Sequence, residues 1–506
     1  MDYLFQSKEA SIESGGLVIQ FFDDQQIFDA KTRIFIEKEL QLVEFENTVG
    51  KSLLLYTPKG KILIVGQGKL EEFMMLDWQR AFAGVSRKAK EVHVKTVSIF
   101  LPIKELQKKI HFSPSQLVKG AVEGLELGAY EFTRHKKKEK HFSVESVTFI
   151  ADSQYEKAVK QGIEIGQLTS KATLFTRDLV NEPSSVTTPT YLSNVAQSFT
   201  KDNPDISCEI FGKKEMEEKG MGGILGIAKG SDEEPKLIVL KYQKGQTHHS
   251  RNSDFFNSGN GKAEKKTIVL VGKGVTFDSG GLSLKPDKSM ETMKLDMAGA
   301  AAILGIFSVI SECKPEMNII GLIPAVENMP SGKAIKPGDI VTSYNGKTIE
   351  IISTDAEGRV ILADALSYAQ KFNPHVIIDL ATLTGACSIA LGEEIAGLFV
   401  NEKTLADQLL MLGKETGERL WELPLAKEYE ELLKSPVADI KNVAKTRAGG
   451  AITGALFLKP FVPENVQWAH IDIAGPAWAE KDTALCTEGG TGFGVRLILE
   501  YLSTVC

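Results

Sequence analysis

Short apolar runs of strand length alternate with amphipathic stretches along the whole chain. Near the start, LVIQFF from Leu17 and KILIVGQG from Lys61 are rich in β-branched and aromatic residues, while Pro114 to Glu131 repeats its apolar positions at helical spacing. A longer helical pattern starts at Tyr155 and runs through Val159, Ile163, Leu168, Ala172, Phe175 and Leu179. It ends at Asn181, where Pro183 and two serines break it. The pattern predicts a smaller α/β domain over residues 1–165 and a larger one over 166–506, with this helix bridging them.

The second region carries five strand-length runs: KLIVLKY from Lys236, TIVLVG from Thr267, NIIGLIPAV from Asn318, VIIDLATL from Val376 and HIDIAG from His470. They are apolar almost throughout, as strands buried on both faces are, so the expected fold is α/β with a central mixed sheet flanked by helices. Sites in such sheets form at the carboxyl ends of the strands. The most apolar stretch, Ala298 to Ile310, is too short to span a bilayer and reads as a buried helix. Residues 243–266 are polar and rich in Gly, Asn and Ser, which predicts a surface insertion in which His248 and His249 face water.

Composition narrows the classes. Of the 506 residues, 42% are apolar and 25% charged, an ordinary globular balance that excludes wholesale disorder. The formal charge of -7 gives no general attraction to nucleic acid or anionic membrane. The basic run Arg134–His141 is the local exception and reads first as a solvated loop. The cysteines, Cys208, Cys313, Cys387, Cys486 and Cys506, are scattered and form no metal-ligand spacing, which fits a reducing cytoplasm. The acidic start MDYLFQSKEASIESGG lacks the order of a signal or transit peptide.

Candidate chemistry gathers at the strand ends. Lys273 and Asp278 follow TIVLVG directly, on what reads as a glycine-punctuated loop. Asp296 precedes the apolar helix, where a bare carboxylate is costly unless paired, protonated or metal-bound. Asp355 and Glu357 follow a hairpin marked by Asn345-Gly346 and share one side if their segment is extended. Each acid alone is an ordinary cap or ion pair. Four together, without an HExxH helix, suit a pair of divalent ions.

These residues lie in motifs: VGKGVTFDSGGLSLK (Val271–Lys285), MKLDMAGAAA (Met293–Ala302), ENMPSGKAIKPGD (Glu327–Asp339), STDAEGR (Ser353–Arg359) and ATLTGA (Ala381–Ala386). In kind and order they resemble the leucyl aminopeptidase family, the two-metal cytosol aminopeptidases or peptidase family M17, over about residues 170–500. The resemblance implies one ion held by Lys273, Asp278, Asp296 and Glu357 and a second by Asp278, Asp355 and Glu357. It implies Mn2+ or Zn2+ as the ions, Lys285 as the cation facing the reacting carbonyl, and bicarbonate held by Arg359. It places Met293, Thr382, Gly385, Ala474 and Ala477 around the substrate side chain, a small apolar pocket suited to Leu. Ser353 stands where relatives often carry asparagine, and the first 165 residues match only as a loose, macro-like α/β domain.

The activity implied is metal-assisted release of N-terminal residues from peptides by a cytoplasmic homohexamer of two stacked trimers, with no membrane partner. DNA is implied as an accessory partner, since some bacterial relatives bind it, and a catalytically dead scaffold is a further alternative. Duplex binding that weakens with salt and vanishes when the lysines of Arg134–His141 are neutralised would mark the DNA role. Activity regained after chelation and metal reconstitution would exclude the scaffold.

Overall fold

The apolar runs form strands where the pattern put them. A computed structural model describes residues 1–7, 16–21, 45, 47–57, 60–137, 142–201, 203–244 and 266–504. Two units emerge: Met1–Lys171 with Lys414–Gly417 and Lys481–Glu488, and Ala172–Gly413 with Glu418–Glu480 and Gly489–Cys506. The division falls inside the long helix that begins at Glu156 and ends at Asn181.

The first unit contains β1 (Asp2–Ser7), β2 (Gly16–Phe21), β3 (Ser52–Thr57), β4 (Gly60–Gly66), α1 (Met75–Glu91), β5 (Thr96–Phe100), α2 (Pro114–Ala129) and β6 (Ser146–Ala151). Its sheet runs β1-β6-β5-β2-β4-β3, parallel except for the antiparallel edge strand β3. Helix α2 starts where Ser113 makes a capping box: its Oγ accepts from Gln116 N at 3.2 Å, and the Gln116 side chain accepts from Ser113 N at 2.9 Å. Small residues let α1 and α2 approach closely, since a Cβ on Gly124 would lie 2.4 Å from the Gln79 carbonyl oxygen. Trp78, Phe82, Ile99, Val147 and Phe149 fill the core of this unit.

The second unit adds β7 (Ile206–Phe211), α3 (Gly222–Ala228), β8 (Lys236–Tyr242), β9 (Thr267–Gly272), β10 (Gly274–Asp278), α4 (Ala298–Cys313), β11 (Asn318–Asn328), β12 (Ile340–Thr342), β13 (Thr348–Glu350) and α5 (Glu357–Ala369). After these come β14 (Val376–Ala381), α6 (Gly385–Leu391), β15 (Ala396–Val400), β16 (Leu420–Glu422), β17 (Ile440–Lys441), α7 (Gly450–Leu458) and β18 (Gln467–Asp472). The main sheet is mixed, in the order β16-β15-β18-β14-β9-β11-β8-β7, with β10 paired to β11. Its centre, β18-β14-β9-β11, is parallel. Val269, Val271, Ile320 and Leu322 point to one face and join a core cluster with Val360, Ile361 and Leu362 of α5. On the other face α4 lies almost on the backbone: a Cβ on Gly272 would meet the Gly299 carbonyl oxygen at 2.6 Å, and one on Gly299 the Leu380 carbonyl oxygen at 2.3 Å. Glycine is required at that crossing, because any larger residue would push the helix off the sheet.

Three expectations need correction or bounds. A helical stretch Asp287–Cys313 has the length and hydropathy of a bilayer span, more than the run Ala298–Ile310 indicated, but its most apolar window is 83% buried inside the protein. It is a core helix. The expected loop after TIVLVG is mostly strand, since β10 continues almost at once and pairs in parallel with the end of β11. Residues 245–265, with His248 and His249, lie outside the described residues, as does Cys506. Of the basic run, Arg134–Lys137 form an exposed turn and 138–141 lie outside the described residues.

Helix α5, which carries Glu357 and Arg359, is buried along its whole length. Asp364 anchors it: one carboxylate oxygen accepts from Ile224 N at 2.8 Å, the other from Tyr344 N at 2.7 Å. Burial, opposed by those backbone donors, pushes this carboxyl up to about 7, against about 4 in an unfolded chain. The folded chain therefore binds the extra proton between those values, and the cost of the buried charge is relieved as pH falls from about 7 to about 4. Urea midpoints across that range should favour the wild type over Asp364→Asn increasingly toward acid, by about 1 to 4 kcal/mol in total. Parallel pH profiles of the two proteins would refute the assignment.

Candidate metal centre

Parallel strands deliver the site to one edge of the sheet. Lys273 follows β9, Asn328 ends β11, Thr382 follows β14 and Asp472 ends β18. Asp278 ends β10, beside Asn328 in register. The chain then turns at Gly280 (φ 84°) and Gly281 (φ 61°), left-handed conformations that favour glycine, and brings Lys285 back to Asp278.

The remaining acids arrive on turns and not on an extended strand. Asp296 sits in the short helical turn Met293–Met297 that leads into α4. Asp355 lies in the turn after β13, and Glu357 is the first residue of α5. The alternation expected to align Asp355 with Glu357 is therefore absent; a turn followed by a helix start brings them together. Oxygens of Asp278, Asp355 and Glu357 lie within 4.8 Å of one another.

Two ammonium groups sit among these acids. Lys273 Nζ is 2.6 Å from Asp296 Oδ1 and 2.8 Å from Glu357 Oε1, and donates to the Thr382 carbonyl at 2.8 Å. Lys285 Nζ is 2.8 Å from Asp278 Oδ2 and pairs with Asp355 Oδ1. Asn328 Nδ2 and Gly280 N donate to Asp278 Oδ1 at 2.8 and 2.9 Å. Thr382 Oγ1 donates to Asp296 Oδ1 at 2.6 Å. Even so, Asp296 Oδ2 and Glu357 Oε2 are buried with no hydrogen-bond partner.

The electrostatics follow from burial and crowding. Burial works to deprotonate Lys273, but Asp296, Glu357 and Asp278 outweigh it and hold its ammonium well above the usual range. Burial, reinforced by the Glu357 charge, lifts Asp278 to about 6 against the pull of both lysines. Burial lifts Asp296 well above the carboxylate range. At Glu357 burial is overcome by Lys273 and then Lys285, which bring it down to about 2. Four carboxylates share two monovalent cations, and two of their oxygens are orphaned. A hard divalent cation is the partner such a donor set lacks.

The other expected residues are distributed around this cluster. Arg359 is buried and donates from one terminal nitrogen to the Asn442 carbonyl at 2.8 Å, its Nε has no partner, and burial draws it down to about 10. Among the described residues it makes no ion pair with Asp355 or Glu357. Lys294 reaches the Asn181 carbonyl at 2.7 Å and leaves Asp296 to Lys273. Met293 is half-buried, Ala474 likewise, Ala477 is buried and Gly385 is exposed at the start of α6. Thr382 is tied by its hydroxyl to Asp296.

Residue-level reading of the sequence missed the two polar residues that end strands here, Asn328 and Asp472. Asp472 accepts from Leu383 N and Ala474 N, both at 3.1 Å, and from Thr384 Oγ1 at 2.6 Å, so it joins the loop after β14 to the turn after β18. The signal was available: a polar residue closing an otherwise buried strand at the functional edge.

A mixed α/β sheet with four acids converging at its carboxyl edge gives the chain a candidate divalent-metal site. The sequence matches the cytosol aminopeptidase family, catalytic domain, over residues 174–499 and the N-terminal domain of the same family over 20–139. A probable cytosol aminopeptidase of Geobacter sp. (strain M21) is 40% identical, covering 96% of each chain. One of Geobacter sulfurreducens is 42% identical, covering 92% of this chain and 88% of that protein. Among solved structures, a tomato leucine aminopeptidase mutant superposes with a TM-score of 0.85 at 31% identity, covering 99% of this chain and 97% of that one. The bottromycin maturation enzyme BotP in complex with Mn superposes at 0.82 and 30% identity, over 97% and 99% of the two chains. This chain belongs to the cytosol aminopeptidase family, and is a metal-dependent aminopeptidase acting on peptides.

Gly358 offers a sharp test of the cluster. A Cβ there would lie 2.3 Å from Lys273 Cε and 2.6 Å from its Nζ. Lys273 is buried and held by three partners, so pushing it off the acids in Gly358→Ala should destabilise the fold, by about 1 to 4 kcal/mol as read from urea midpoints, without abolishing folding. Displacing that nitrogen should still cut amino-acid amide hydrolysis at least about tenfold. Undiminished turnover would show that the position of Lys273 does not matter.

Proposed function

We propose that this aminopeptidase uses two divalent ions, Mn2+ or Zn2+, to release Leu and other apolar residues from peptide N-termini. Lys273, Asp278, Asp296 and Glu357 would hold one ion, and Asp278, Asp355 and Glu357 the other. The observation that carries this reading is the pair of orphaned, buried oxygens, Asp296 Oδ2 and Glu357 Oε2, within an acid cluster balanced only by two lysines. As a ligand Lys273 would have to be neutral, so metal binding there would have to displace the proton its acidic neighbours now hold in place. When bound, such ions supply an activated water, a Lewis acid for the carbonyl and an anchor for the free α-amine.

The chain's own residues do the rest. Lys285, paired with Asp278 and Asp355 here, would be freed were those acids engaged by metal and could then present its ammonium to the oxygen on which charge develops. Arg359 remains a cation at neutral pH, and its unpartnered Nε, beside a remaining terminal nitrogen, suits a bidentate anion such as bicarbonate. A bicarbonate held there would supply a group able to pass a proton from water to the leaving amine. Met293, Gly385, Ala474 and Ala477 give the P1 side chain a small, apolar surround, and Thr382 sets one wall through its bond to Asp296. Family membership also supports a cytoplasmic homohexamer, which light scattering should report as six times the 55.3 kDa chain.

Lys285→Ala and Asp355→Ala should each abolish hydrolysis of leucine amide, a loss of at least about a hundredfold, with circular dichroism unchanged. After chelation, wild-type activity should return with added Mn2+ or Zn2+ and rank leucine amide above charged-residue amides. Full turnover in both variants, or activity indifferent to chelation, would defeat the mechanism.

A further inference from the structure

Asp355 is the least enclosed of the four acids: its side chain is 38% exposed, against 2% for Asp278. Its position therefore depends on the turn that carries it. On one side Thr354 pins that turn, donating from Oγ1 to the Gly280 carbonyl at 2.6 Å and from N to Ser283 Oγ at 3.1 Å. Asn442 pins it on the other.

Asn442 is completely buried and uses its whole amide group. Its Oδ1 accepts from Ile352 N at 2.8 Å and Ser353 N at 3.3 Å. Its Nδ2 donates to the Ser353 carbonyl at 2.6 Å and the Ala356 carbonyl at 3.4 Å. Its backbone N–H extends the β13–β17 pairing to the Glu350 carbonyl at 3.0 Å, and its own carbonyl accepts from Arg359 at 2.8 Å. One residue thus brackets the Asp355 turn and holds the Arg359 guanidinium. Only a primary amide both accepts two N–H groups and donates to two carbonyls at this reach; aspartate lacks the donors and serine the length.

We propose that Asn442 is a positioning residue for the reaction, setting Asp355 through its side chain and Arg359 through its carbonyl. This inference rests on the roles given above to those two residues. Small displacements of reacting groups cost rate more than binding. Asn442→Ala should therefore lower kcat about 10- to 100-fold while KM stays within about threefold. Asn442→Asp, which keeps the acceptor but loses the donors and sets a carboxylate against the Ser353 carbonyl, should lower kcat at least as far, and it supplies the test should the alanine variant fail to fold.

The decisive measurement is steady-state kinetics of both variants with leucine amide, at saturating Mn2+, alone and combined with Arg359→Ala. Since the two residues act as one unit, the loss from Asn442→Ala should shrink at least about threefold once Arg359 is gone. Wild-type kcat in either folded variant, or losses that multiply fully with Arg359→Ala, would overturn the proposal. If Arg359→Ala and Asp355→Ala were themselves fully active, the reading of the site would fail first. If those two are impaired while Asn442→Ala and Asn442→Asp are not, only this inference fails.

Discussion

Everything at this site depends on crowding four carboxylates, three of them buried and Asp355 partly exposed, at the edge of a sheet. Bare, such a cluster would oppose folding, because each ionised acid loses its hydration and repels its neighbours. The chain answers with two lysines threaded between the acids, Lys273 to Asp296 and Glu357, and Lys285 to Asp278 and Asp355. These lysines make the cluster tolerable without satisfying it. Orphaned oxygens and shifted carboxyls are the residue of an incomplete charge balance, which is the condition a metal site requires before loading.

The rest of the second unit serves to hold those charges still. Parallel strands place Lys273, Thr382 and Asp472 along one edge, and α4 and α5 clamp the sheet from its two faces. Glycines at 272, 299 and 358 allow this closeness: two let α4 touch the sheet, and the third makes room for the Lys273 side chain at the start of α5. Neutral side chains then fix the angles. Asn328 ties Asp278 to the Thr354 carbonyl, and Asp472 ties two loops together through backbone N–H groups.

Much of this was legible before any coordinates. Runs such as TIVLVG and VIIDLATL are apolar at nearly every position, and only a strand covered on both faces satisfies such a run. The acids stood out because carboxylates beside buried segments need partners. Local geometry was harder to read. The segment after Lys273 looked like a loop because of its glycines, yet Gly274 is demanded by the close approach of the Pro324 carbonyl, 2.8 Å from where a Cβ would sit, and the segment is strand. Asp355 and Glu357 looked like neighbours on one extended face, but the helix begins at Glu357 itself.

The sequence by itself determined which segments are buried, which residues carry charge among them, and the family to which the motifs belong, because burial periodicity and residue chemistry are local properties. Only the tertiary structure decided which oxygen meets which nitrogen. Lys273 reaches Glu357 and Asn442 reaches Arg359 across 84 and 83 positions of chain, and no local pattern encodes a distance between segments whose separation is set by sheet order and helix packing.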